Sequence, residues 1–88
     1  MQIRVCFHSY FKDLTGCEDC VEDVPSGTTL EALLAQTRQR FPKLEQMKRS
    51  TLAAVGVDYE APDYLLKEGD EVSLFPPVQG GSGVKELA

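Results

Sequence analysis

The sequence predicts an α+β domain, a small mixed sheet with one main helix packed on one face. Three observations carry that expectation. Ile3, Val5 and Phe7 alternate with Arg4, Cys6 and His8, the period-two pattern of a half-buried strand. Leu30, Leu33, Leu34, Thr37 and Phe41 recur at helical spacing on one face, and Pro42 closes the run. Val72-Ser73-Leu74-Phe75 is an apolar strand ended by Pro76-Pro77, which offer no N–H to a ladder.

The remaining elements follow in chain order. Asp13 to Cys17 contains Thr15-Gly16, a turn signal. Cys20 to Val24 reads as a weaker second strand, stopped by Pro25-Ser26-Gly27, and the spacing fits a hairpin with a long loop. Thr28 with Glu31 three residues later matches a capping box at the helix start. Lys43 to Ser50 is polar around Leu44 and Met47 and reads as a loop with a short helical turn. Leu52 to Val57 reads as a buried strand, Asp58 to Asp63 as a turn region and Tyr64-Leu65-Leu66 as a short apolar stretch. Lys67-Glu68-Gly69-Asp70 is a turn leading into the last strand, Glu71 to Phe75. The order strand, strand, helix, strand, short element, strand is the β-grasp, ubiquitin-like layout. That fold type places the last strand beside the first, in the sheet centre. The division expected is a β-grasp domain over 1–79 and a Gly-Gly tail with a C-terminal extension over 80–88.

Composition narrows the partners. Nine basic against fourteen acidic residues give a net charge of −5, which disfavours a nucleic-acid backbone as partner. No stretch approaches the roughly 20 apolar residues of a membrane span. Met1-Gln2-Ile3-Arg4 lacks a signal-peptide pattern, so the cytoplasm is the expected location. Three cysteines, an odd number, do not suggest a disulfide framework.

The run Phe75-Pro76-Pro77-Val78-Gln79-Gly80-Gly81 points most directly to function. The prolines stiffen the exit from the sheet, and the glycines give a tip without side chains, suited to another protein's narrow site. Together with Leu52-Ala53-Ala54-Val55 and the stretch from Pro62 to Val72, it resembles the MoaD branch of the MoaD/ThiS ubiquitin-like sulfur carriers. Ile3-Arg4-Val5, Leu14-Thr15-Gly16 and the helix beginning at Thr28 are similar too, and the resemblance covers residues 1 to 81. Its specific part is a Gly-Asp-Glu-Val turn and strand followed by the Phe-Pro-Pro-Val-x-Gly-Gly tail.

The resemblance implies a carrier that is not an enzyme as an isolated chain. An E1-like enzyme would use ATP to adenylate the carboxylate of Gly81, and a thiocarboxylate would follow. In molybdopterin synthesis that sulfur passes to a pterin precursor inside a complex with a MoaE-type large subunit. Phe75, Pro76, Pro77, Val78, Gln79 and Gly80 would guide and dock the tail. No cofactor is expected on the chain itself; without a glycine-rich phosphate loop, ATP falls to the activating partner. The resemblance also admits a ThiS-like or pathway-specific carrier feeding thiamine, amino-acid or other thio-metabolite synthesis through another sulfur-accepting synthase. A ubiquitin-like protein modifier and a plain binding module are the readings from other classes.

Two departures stand out. Ser82 to Ala88 follow Gly81, so its carboxyl is held in a peptide bond. Either a trimming protease removes the extension, or the chain does not charge; a remnant of a fusion or of cloning is the other origin. Gly56 stands where MoaD proteins often have asparagine, at the turn after that strand.

Other constellations read as structural. Cys17-Glu18-Asp19-Cys20 lacks the helix N-terminus of a redox Cys-x-x-Cys, and its acidic neighbours raise a thiol pKa. A zinc site would need Cys6 and His8 as further ligands, so no metal is expected. His8, the only histidine, reads as a half-exposed strand residue, and Cys17 and Cys20 as loop and surface residues. Glu68, Asp70 and Glu71 read as a solvated acidic turn, with a basic patch on the activating enzyme as the alternative contact.

Overall fold

Gln2–Phe7 forms β1 in the computed structural model, which describes residues 1–77. Ile3, Val5 and Phe7 are buried and Gln2 and Arg4 exposed, as the alternation demands. A five-residue helix α1, Phe11–Thr15, follows where the sequence suggested only a turn. Gly16 ends it in the left-handed conformation at φ 76°, donating its N–H to Lys12 C=O at 2.7 Å.

Strand β2, Asp19–Asp23, runs antiparallel to β1 with Val5 opposite Cys20 and Ile3 opposite Glu22. This register turns Cys20 inward, 8% exposed, against the expectation of a surface cysteine. Cys17 is half-buried and packs against the core as well. Glu22 also points inward, at 3% exposure. Its carboxylate accepts from Gln36 Nε2 at 2.7 Å and lies 3.5 Å from Arg40 Nη1, so the buried charge is paired.

Helix α2, Leu30–Arg40, covers the inner sheet face with Leu30, Leu33 and Thr37 buried. Its cap is Thr29, whose hydroxyl oxygen accepts the Ala32 N–H at 3.1 Å, and not Thr28. The reason is non-local. Leu66 N–H donates to Thr28 C=O at 3.0 Å, and Thr29 bridges Leu65. The first helical N–H groups, of Leu30 and Glu31, find the carbonyls of Tyr64 and Pro62. Glu31 then has no box to close and pairs with Arg38 at 2.7 Å.

A nine-residue 3-10 run, Pro42–Ser50, replaces the expected loop and seals the core with Leu44. Strand β3, Leu52–Val55, ends two residues earlier than expected; Gly56 turns the chain at φ 63°, and Val57 is 94% exposed, not buried. That left-handed position suits glycine, and asparagine tolerates it as well. Asp58–Tyr59 forms a short strand β4 against β3, which the sequence did not reveal. The turn before the last strand is closed by Asp70, whose carboxylate accepts the Lys67 N–H and the Tyr64 hydroxyl.

Strand β5, Glu71–Phe75, lies in the middle of the sheet order β2-β1-β5-β3-β4, parallel to β1 and antiparallel to β3. The expected central placement of the last strand is therefore observed. No helix among the described residues is long and apolar enough to cross a membrane.

The buried Cys20 thiol gives a first prediction. Burial, then the neighbouring Glu22 carboxylate, pushes its pKa up to about 12 from an ordinary 9.0. The folded form therefore holds this proton where the unfolded chain releases it. The stabilisation is present below about pH 9 and is lost as pH rises towards 12. Urea melts across that range should show an alkaline loss of stability that is smaller in Cys20→Val. An equal loss in both proteins would contradict the account.

Candidate functional site

Where β5 ends, the outer sheet face becomes apolar. Inward Val72 and Leu74 belong to the core, so Glu71, Ser73 and Phe75 face outward. Leu52 lies opposite Phe75 in the ladder, and Tyr59 sits on the next strand opposite Ala54. His8 follows β1 and stacks on Phe75, ring centroids 4.5 Å apart and planes at 13°. Tyr59 meets Phe75 edge-on at 6.4 Å. Leu52 and Tyr59 are 39% and 67% exposed, so the patch is open to a partner. Within it the Nε2 of His8 is buried without a hydrogen-bond partner among the described residues.

The other end of the same face is charged. Arg4 bridges three strands, with Nη2 2.6 Å from Asp19 and Nη1 2.8 Å from Glu71. These groups are about half exposed, so the pairs add little stability. Glu71 is thus tied down and is not part of a free acidic turn, and Asp70 is engaged as a cap. Cys6 lies between these charges on the outer side, and burial, then Glu71, raises its thiol pKa. A raised pKa leaves less thiolate, the opposite of a reactive cysteine. Among the described residues no group of three or more His, Cys, Asp or Glu is placed to hold a metal.

Of the tail residues singled out in the sequence, Phe75, Pro76 and Pro77 are described. All three are half-buried, at the apolar end of the sheet face. Val78, Gln79, Gly80 and Gly81 lie outside the described residues, as do Ser82 to Ala88. His8, Leu52 and Tyr59 join Phe75 although the sequence had not grouped them. Their signal was available only through strand register, since the four come from four separate segments.

A ubiquitin-like β-grasp domain whose central strand ends beside an open aromatic patch is the class this arrangement defines. The ThiS family model matches residues 7–81, and the chain belongs to that family. The molybdopterin synthase sulfur carrier subunit of Escherichia coli is 39% identical over 83 residues, covering 90% of this chain and 99% of that protein. The structure of small archaeal modifier protein 1 from Haloferax volcanii shares the fold, with a TM-score of 0.80 and 21% identity over 88% of this chain and 98% of that one. A chain in the complex of subunits 1 and 2 of molybdopterin-converting factor from Helicobacter pylori superimposes with a TM-score of 0.66 and 24% identity, covering 89% and 96%.

Proposed function

We propose that this chain is a sulfur carrier in molybdopterin synthesis, holding sulfur as a thiocarboxylate on Gly81 once that carboxyl is free. The supporting observation is the delivery of Phe75-Pro76-Pro77 from the central strand at the open apolar end of the sheet. A partner that covers His8, Phe75 and Tyr59 receives the Gly80-Gly81 end of the sequence within a few residues of its own surface. A fully extended residue spans at most about 3.3–3.6 Å, so any four-residue segment bridges at most roughly 14 Å.

The chemistry needs little from the carrier itself. Adenylation by an E1-like partner with ATP converts the Gly81 carboxylate into an acyl-adenylate, with pyrophosphate released. A sulfide-level sulfur nucleophile attacks the acyl carbon, the C–S bond forming as the C–O bond to AMP breaks and AMP leaves. Glycine keeps that carbon open to attack. The thiocarboxylate is then a sulfur nucleophile for the pterin precursor, presented in complex with a MoaE-type large subunit. The nucleotide site belongs to the activating partner, and the cytoplasm is where ATP and the acceptor would meet the carrier. Hydrolysis of the Gly81–Ser82 bond by a protease has to come first.

The test is direct. A chain ending at Gly81, mixed with the E1-like partner and ATP, should release pyrophosphate in step with carrier added. The chain ending at Ala88 should release none. Equal release from both, or none from either with a competent partner, would refute the proposal.

A further inference from the structure

We propose that the groove between α2 and the β3 edge takes an extended, acidic segment of a partner protein, independently of the tail. The groove measures about 290 Å³. Leu30, Leu34, Ala53 and Pro62 give it an apolar lining that borders Leu52 and Tyr59 of the aromatic patch; of its charged lining Glu31 neutralises Arg38, which leaves Lys48 and Glu60.

The sheet edge beside it is unfinished. Strand β4 pairs only Ala54 and Val55 of β3, so Leu52 and Ala53 have no strand on their outer side. The Gly56 N–H bonds Glu71 C=O at 2.9 Å, which fixes the alternation along β3. By that alternation Leu52 and Ala54 bond to β5, while the backbone groups of Thr51 and Ala53 point to the open edge. The Glu60 N–H donates to the Ala53 C=O at 3.4 Å, the long end of the hydrogen-bond range, so an added strand either meets the Ala53 N–H and Thr51 alone or displaces that bond. The opposite edge is closed: Arg40 and Gln36 donate to the carbonyls of Val21 and Asp23 on β2. An added strand therefore has one place to go.

Charge selects the occupant. Five of the nine basic residues lie between Arg38 and Arg49, with Glu45 the one acidic residue among them. Arg38 and Arg40 are held by Glu31 and Glu22, but the exposed Lys43, Lys48 and Arg49 have no ion-pair partner among the described residues. A segment with apolar residues alternating along the groove and aspartates or glutamates beyond the Lys48 end meets all of these groups. Glu60 also lines the groove, next to Ala53 on the side towards β4, and disfavours the reverse direction. A nucleic acid fits less well, because the rest of the chain carries four basic and thirteen acidic residues and repels a phosphate backbone.

The probe is an acetylated, amidated octapeptide of alternating valine and serine followed by three aspartates, titrated into the ¹⁵N-labelled full chain. Amide shifts should move at Leu34, Lys48, Thr51 and Ala53. Lys48→Glu with Arg49→Glu, both exposed and checked for native fold by circular dichroism, should weaken binding by at least about tenfold. N-methylation of the valines should abolish it, because the added strand then loses its donors. The proposal is overturned if no shifts occur, or if they fall only on His8 and Phe75, which lie outside the groove. It is also overturned if the charge-reversed variant binds as well, or if a uridine oligomer binds the same residues more tightly than the peptide. None of these outcomes bears on whether Gly81 carries sulfur.

Discussion

Replacing Phe7 by alanine is expected to cost about 3–5 kcal/mol of folding stability, the range for a fully buried aromatic whose cavity cannot collapse. Phe7 is 1% exposed at the end of β1, the strand between β2 and the central β5. Its ring meets Phe41 edge-on at 5.5 Å, and its neighbour in the parallel ladder is Leu74. A domain of this size has a total stability of roughly 4–12 kcal/mol, so the variant loses a large share of it. The melting temperature should fall by about 15–30 °C. Val57→Ala, at a 94% exposed turn position, should change stability by less than about 0.5 kcal/mol and serves as the control. A Phe7→Ala cost below about 1 kcal/mol would mean that this core is not packed as described.

The second large effect falls on recognition. Phe75→Ala removes the ring that stacks on His8 and meets Tyr59, at the point where the chain leaves the sheet. An aromatic anchor at the centre of an interface is worth about 2–4 kcal/mol, so affinity for a MoaE-type large subunit should fall roughly 30- to 1000-fold. Calorimetric titration measures this, with melting curves to show that the variant remains folded. An affinity unchanged within about threefold would remove the apolar patch from the docking surface.

Much of this architecture can be read from residue order, and the exceptions have physical causes. Strands β1 and β5 are legible because one strictly alternating face is buried in each. Strand β2 is faint because its inward positions are only Cys20 and Glu22, with Val24 just past its end. A carboxylate facing the core breaks the pattern, and only Gln36 and Arg40 across the helix make it tolerable. Cys20 therefore read as a surface residue although it is buried. Helix α1 and strand β4 hold five and two residues, too few for any period to show. The cap of α2 moved from Thr28 to Thr29 because Leu65 and Leu66, more than thirty residues away in sequence, claim the backbone there.

The same division applies to the site. The tail motif is contiguous, so it was visible at once and already suggested the sulfur-carrier family to which the chain belongs. The patch beside it is assembled from residues 8, 52, 59 and 75, which meet only through the sheet register. Local sequence explains what leaves the sheet, and the topology explains what surface it leaves from.

The most direct measurement is the intact mass of the chain recovered from sulfur-replete cells that also make molybdopterin. A carrier charged on Gly81 gives a species ending at that residue and heavier than the plain carboxylate by one exchange of oxygen for sulfur. A chain found only with Ser82 to Ala88 attached, or ending at Gly81 with no sulfur in any fraction, would contradict the proposed role.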